Sequence, residues 1–324
     1  MRILLTGAAG YLGSTLAPLL LKQGHQVRAL DSLLHGGKPL LGFWAFPGFS
    51  FIKADVRDRA AVSAALDGIE GVIHLAAIVG DPACARAPQE ARAINLEASL
   101  SLAEAAQKAG VRRFVFASTC SNYGKMADPD KSVDEASELA PVSLYAETKV
   151  GVERALLDES RFPKLCATAL RLSTLFGVSA RMRFDLTVNE FVMQMITRKH
   201  LVVFGEQFWR PYLHVADAAR AFALVLGREE AEVRREVFNV GGDDQNFRKQ
   251  DLLELIAPLA PGCRIERVHK NEDPRDYRVS FAKIRERLGY RPEHSVQSGI
   301  RELADLIAQG VLPAPESPEF TNTP

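Results

Sequence analysis

The chain is poor in cysteine and has no excess of either charge. Its four cysteines (Cys84, Cys120, Cys166 and Cys263) lie far apart, with no CxxC pair and no histidine spacing that suits zinc. Neither a disulfide framework nor a metal site is expected, and a reduced cytoplasmic setting is. Lys+Arg and Asp+Glu stand at 40 each, so the basic excess of a dedicated nucleic-acid binder is missing. No run of about 18 apolar residues occurs, and no membrane span is expected. Met1–Leu21 is fairly apolar, but Gly7, Gly10 and Gly13 interrupt it, so it reads as strand, turn and helix rather than as a signal peptide. Internal repeats and low-complexity tracts are also missing.

A hydrophobic content of 47% with 25% charged residues is that of an ordinary globular protein. At about 150 residues per domain, 324 residues make one large domain or two smaller ones. The first half alternates short apolar runs with helical stretches. Strands are expected at Arg2–Leu5, Gln26–Leu30, Phe51–Ala54, Val72–Leu75, Phe114–Ala117 and Cys166–Leu170. Helices are expected at Leu12–Lys22, Arg59–Leu66, Ala87–Ala109 and Tyr145–Glu159. Strand and helix in turn imply parallel strands with right-handed crossovers, hence an α/β fold with a doubly wound sheet. The alternation fails after about Leu172 and returns near Tyr212–Leu226 and Val237–Val240. We therefore expect a dinucleotide-binding unit from residues 1–173 plus 209–241. A smaller, discontinuous unit would come from 174–208 plus 242–312. The proline-rich tail, 313–324, is expected to be mobile.

In RILLTGAAGYLG the three glycines follow a strand and open a helix. Gly7 permits the tight turn, Gly10 lets a pyrophosphate approach the backbone, and Gly13 lets helix and strand pack closely. The helix N-terminus adds free N–H groups for phosphate. Asp31 ends the next strand, where a carboxylate accepts from ribose hydroxyls and repels a 2′-phosphate, favouring NAD over NADP. Asp55 ends the third strand and could contact an adenine or simply cap the strand end. Tyr145 and Lys149 are spaced i, i+4 on one helical face. A nearby ammonium and a positive nicotinamide would stabilise the phenolate and fit it for proton transfer. Ser118 and Thr119 follow a strand, where ligands bind in open α/β sheets, and a hydroxyl there can hold a substrate oxygen. Cys120 is expected in the pocket wall.

These residues, in this order, resemble the extended short-chain dehydrogenase/reductase family, in particular its NAD-dependent epimerase/dehydratase group acting on nucleotide sugars. TGAAGYLG resembles the family's glycine turn, HLAA at His74–Ala77 its loop beside the nicotinamide, and NLEAS from Asn95 its NxxGT element. ASTCSNYG, YAETK and WRPYLHVADAARA resemble its remaining signatures. The resemblance implies a Rossmann-type domain and a catalytic set of Thr119, Tyr145 and Lys149. It implies NAD contacts from Gly7, Gly10, Tyr11, Leu12, Gly13, Asp31, Ser32, Asp55, Val56, Leu75, Ala76, Ala77, Asn95, Ser118, Tyr145, Lys149 and Leu172. For a nucleotide-diphosphate sugar it implies Thr119, Thr174, Asn189, Arg210 and Arg275, the two arginines serving as phosphate ligands or in ordinary ion pairs. A homodimer formed through the helices at Ala87–Ala109 and Tyr145–Glu159 is implied as well. Cys120 and Ser121 stand where sugar 4,6-dehydratases carry Asp-Glu, and the family's decarboxylases carry Glu at the Ser121 position, so both reactions are disfavoured. The expected activity is epimerisation at C4 through a 4-keto intermediate. The alternatives are a 4-keto-sugar reductase and, furthest from expectation, a non-catalytic NAD-binding protein.

Overall fold

A computed structural model describes residues 1–125, 131–269 and 275–322. Residues 126–130 and 270–274, and 323–324 of the tail, lie outside the described residues.

Seven parallel strands form the main sheet. Across the sheet they run Glu236–Val240, Cys166–Leu172, Arg113–Thr119, Gly71–His74, Arg2–Thr6, Gln26–Asp31 and Phe49–Lys53. The order reverses at Arg2–Thr6, since the chain first builds outward to Phe49–Lys53 and then returns to add Gly71–His74 on the other side. A crevice opens beyond the strand ends at such a reversal, and ligands bind there. One face of the sheet buries Leu16, Leu20, Phe222 and Phe238 with helices Gly13–Lys22 and Val215–Gly227. The other buries Leu102, Phe114, Phe116, Val152 and Leu156 with helices Ser99–Lys108 and Leu144–Leu157. With both faces covered, the central strands are buried almost without alternation, while the edge strand Phe49–Lys53 stays partly exposed.

A separate core around Phe176, Phe191, Tyr212, Leu252 and Ile300 holds the remaining chain. Here Trp209–His214 pairs with Thr174–Phe176 and Asn246–Arg248, so this strand joins the small sheet while the helix after it covers the large one. His200–Phe204 and Arg264–Val268 form a further parallel pair.

Three departures from the sequence reading matter for the site. The continuous helix expected at Ala87–Ala109 is interrupted by a π-helical turn at Ala93–Ala98, between Pro88–Arg92 and Ser99–Lys108. A helix at Asp81–Arg86 precedes it, opened by Pro82 in its first turn. The tail is docked as far as Asn322. Phe320 packs edge-on against Phe184 with centroids 6.0 Å apart, and Glu316 pairs with Arg198 at 2.7 Å. Apolar burial and this ion pair hold a segment that proline content alone marked as mobile.

Candidate active site

A cleft of about 590 Å³ runs along the ends of the parallel strands. Its floor is the glycine turn. Gly7 has φ +76°, and a Cβ there would lie 2.8 Å from Ala76 N. A Cβ on Gly13 would lie 2.1 Å from Gly7 O, so the helix can start this close to the strand only at glycine. Asp31 closes one end of the cleft. Its carboxylate accepts from Ala9 N at 2.9 Å and Leu33 N at 2.8 Å, which fixes it against the turn. Burial holds its pKa above the usual carboxylate value despite those two bonds. Ser32, Asp55 and Val56 continue the wall. Arg57 grips both Asp55 oxygens at 2.9 and 2.7 Å and keeps that carboxyl below the usual range.

At the other end stand Tyr145 and Lys149, one turn apart on helix Leu144–Leu157. Ser143 caps this helix by accepting from Ala146 N, and its hydroxyl donates to Asp81 at 2.7 Å. Lys149 is buried. Its ammonium donates to Ala117 O at 2.8 Å and lies 4.7 Å from the Phe116 ring centroid and 5.8 Å from that of Tyr145. Burial lowers Lys149 to about 8 and raises the Tyr145 phenol above its ordinary value. In the protein alone, desolvation therefore outweighs the acidification expected of the Tyr–Lys pair.

Of the expected residues, Gly7, Gly10, Tyr11, Leu12, Gly13, Asp31, Ser32, Asp55, Val56, Leu75, Ala76, Ala77, Ser118, Thr119, Tyr145, Lys149, Leu172, Thr174 and Arg275 all line the cleft. Thr119 accepts from Ser121 N at 3.1 Å, which leaves its own hydroxyl proton to donate. Ser118 reaches the cleft, but its hydroxyl donates away from it, to Glu153 at 2.8 Å. Arg275 pairs with Asp81 at 2.8 Å.

Four expected residues do not line it. Asn95 sits in the π-helical turn. It accepts from Ile78 N at 2.8 Å and donates to Ile78 O at 2.9 Å, so it ties down the loop after His74. Asn189 is buried, joining Gly177 N, Arg183 O and the Tyr11 hydroxyl. Arg210 donates to Trp209 O at 2.6 Å and lies 5.5 Å from the Tyr277 ring, behind the wall. Cys120, expected in the wall, is also behind it, with its thiol directed to Arg171 O at 3.2 Å.

The sequence reading missed Tyr277 and took Ser121 only as the place of a lacking acid–base group; their hydroxyls face each other at 3.4 Å in the cleft. Burial pushes the Tyr277 phenol up to about 12. It also gave no role to Arg181, Arg183 and Asp185, which line the cleft together. The available signals were Tyr277 two positions after Arg275 in DPRDYRVSF, and the alternation RMRFD.

A glycine turn on a helix start, an acidic residue at the next strand end and a Tyr–Lys pair along one cleft define a dinucleotide-binding enzyme of the α/β class. The NAD-dependent epimerase/dehydratase family model matches residues 3–241, and the chain belongs to that family. It is 30% identical to UDP-glucose 4-epimerase of Corynebacterium glutamicum, covering 91% of this chain and 92% of that one. To a dTDP-glucose 4,6-dehydratase of an Actinoplanes species it is 31% identical, covering 93% and 96%. UDP-glucuronic acid 4-epimerase from Bacillus cereus, solved in complex with UDP-glucuronic acid and NAD, superposes with a TM-score of 0.84 at 26% identity, covering 95% of this chain and 99% of that one. The protein is therefore an enzyme of a family with NAD as cofactor, and both isomerase and oxidoreductase chemistry are compatible with it. The cleft fits that cofactor: Gly7 and Gly13 admit no side chain, and Asp31 is fixed by the turn it faces.

Proposed function

We propose that the protein is an NAD-dependent nucleotide-sugar epimerase acting at C4. The observation that carries this reading is that Thr119, Tyr145 and Lys149 share one cleft with the glycine turn and Asp31. Gly7, Gly10, Gly13 and Asp31 would hold the cofactor, and Lys149 its nicotinamide end. A bound NAD would supply the reversible hydride acceptor for the sugar carbon. The Tyr145 oxygen takes the proton of the C4 hydroxyl and later gives it back. Thr119 donates to the same sugar oxygen. The buried Lys149 ammonium offsets negative charge on Tyr145, an effect strengthened by the low local dielectric. Thr174 and Arg275 face the substrate diphosphate, a role that suits a guanidinium.

Dehydration fits this cleft less well. Cys120 is outside it with its thiol pKa raised by burial, and Ser121 is not an acid–base group near neutral pH. The four unpaired cysteines suit a reducing cytoplasm. Leu100, Ala105, Ala155 and Leu157 on helices Ser99–Lys108 and Leu144–Leu157 are only partly buried, which supports a homodimer through this face.

Incubation with UDP-, dTDP-, GDP- and CDP-hexoses, followed by NMR of the sugar ring, should show inversion at C4 for at least one of them. No inversion of any would overturn the epimerase reading. Steady consumption of free NADH with a 4-keto sugar would instead establish a reductase.

A further inference from the structure

The loop Ser179–Asp185 brings two arginines to the cleft beside the glycine turn. Ser179 anchors it there: its hydroxyl donates to Tyr11 O at 2.7 Å and lies 3.0 Å from the Ser14 hydroxyl at the start of helix Gly13–Lys22. Arg183 is compensated, because Asp185 accepts its Nε at 3.0 Å and Nη2 at 2.6 Å. Arg181 is not. It is 5% exposed, and its guanidinium donates to two main-chain carbonyls, Met182 O at 3.1 Å and Thr321 O at 3.0 Å. Its Nε makes no hydrogen bond, and among the described residues no carboxylate lies within ion-pair range of it. Burial and the neighbouring Arg183 disfavour its charged form, and Asp185, already held by Arg183, offsets them only in part. A guanidinium taken out of water without a counterion is strongly unfavourable. Here it also faces a ligand cleft. His35, just beyond Asp31 and Ser32, lines the same end and feels both arginines.

We propose that Arg181, assisted by Arg183, is an anion subsite for the diphosphate of the bound dinucleotide, set in the cleft beside the glycine turn. This rests on the reading of the cleft as an NAD site. The tail takes part as a support: Thr321 O holds Arg181, and Asn322 N donates to Asp185 at 3.2 Å, so residues that follow the last helix fix the direction of both arginines. The glycine turn would supply N–H groups to the diphosphate, and Arg181 the positive charge that the turn lacks.

Calorimetric titration of NAD into wild type and Arg181→Gln tests the proposal, together with thermal unfolding of both proteins without NAD. We expect Arg181→Gln to weaken NAD about tenfold or more, the range of a charge-assisted contact. Its unfolding midpoint without NAD should be equal to or above that of wild type. Arg181→Lys should recover part of the affinity. Equal NAD affinity in wild type and Arg181→Gln overturns the proposal, and so does a lowered midpoint with unchanged affinity, which marks a structural arginine. A loss of UDP affinity in NAD-loaded protein with NAD affinity intact also overturns it, assigning the arginine to the substrate diphosphate instead. If wild type itself binds no NAD, the reading of the whole cleft falls with it. Should Arg181→Gln not fold, Arg183→Gln is titrated in the same way, with a smaller loss expected and no loss overturning the subsite.

Discussion

Replacing Tyr145 by Phe should lower turnover by at least about a hundredfold on whichever nucleotide sugar the wild type converts, with NAD affinity essentially unchanged. General acid–base catalysis contributes roughly 10²–10⁴-fold, and phenylalanine removes the one atom that does the proton transfer while keeping the ring. The ring itself should stay in place. Helix Leu144–Leu157 is capped by Ser143 and fixed below by Lys149 and Glu153, none of which touches the Tyr145 oxygen. The phenol also sits in a strongly desolvating environment, so its removal relieves a burial cost rather than opening a hydrogen-bond deficit. Steady-state kinetics and an NAD titration on the same preparation check this. A variant that keeps more than a tenth of wild-type turnover would remove Tyr145 from the chemistry. A variant that loses NAD affinity in parallel would make it a cofactor-packing residue. Because protein burial alone raises this pKa, the phenolate must depend on charge that arrives with the ligands, and pH profiles of the loaded enzyme should lie lower than those of the phenol in the protein alone.

The part of this site that lies in contiguous stretches was legible in the sequence. Gly7 and Gly13 are dictated by a close approach of backbone to backbone, and Asp31 by its place at the end of the neighbouring strand. Tyr145 and Lys149 are marked by helical spacing together with their place in the chain after the glycine turn, Asp31 and the strand-end hydroxyls. What failed was side-chain direction. Ser118 and Thr119 are adjacent on a strand, so they point to opposite faces, and only one hydroxyl can serve the cleft. Thr119 does, and Ser118 turns to Glu153. Asn95 and Arg210 were placed by motif, yet one is held by the loop it supports and the other by the tyrosine it backs. Arg181 and Tyr277 belong to segments with no regular period, and their place depends on chain that is distant in sequence. The short strands Thr174–Phe176 and Asn246–Arg248 show the same difficulty: three residues carry no pattern, and both are made strands by pairing with Trp209–His214.

Behind the catalytic strand end lies a buried polar network that should be far more costly to break in half than to replace whole. Arg171 and Glu153 are 5% and 2% exposed in their side chains, joined at 2.5 Å and again at 3.1 Å. Ser118 donates to Glu153, Arg171 donates to the Tyr123 hydroxyl at 2.8 Å, and that hydroxyl donates to Asn239 at 2.7 Å. The network thus ties strand Arg113–Thr119, helix Leu144–Leu157 and strands Cys166–Leu172 and Glu236–Val240 together, directly beneath Thr119. Glu153→Gln leaves the Arg171 cation buried without a counterion and should destabilise the fold by about 3–5 kcal/mol. Removing both charges, as Glu153→Leu with Arg171→Met, should recover most of that loss, since a buried pair stabilises little over an apolar one. Urea denaturation of the three proteins decides it. A single variant within about 1 kcal/mol of wild type would mean that water reaches Arg171 and that the network is not sealed. The double variant carries the functional half of the argument. If it is stable yet turns over slowly, the polar network holds Thr119 in register as well as holding the sheet together; if it is both stable and active, apolar packing alone can place that hydroxyl.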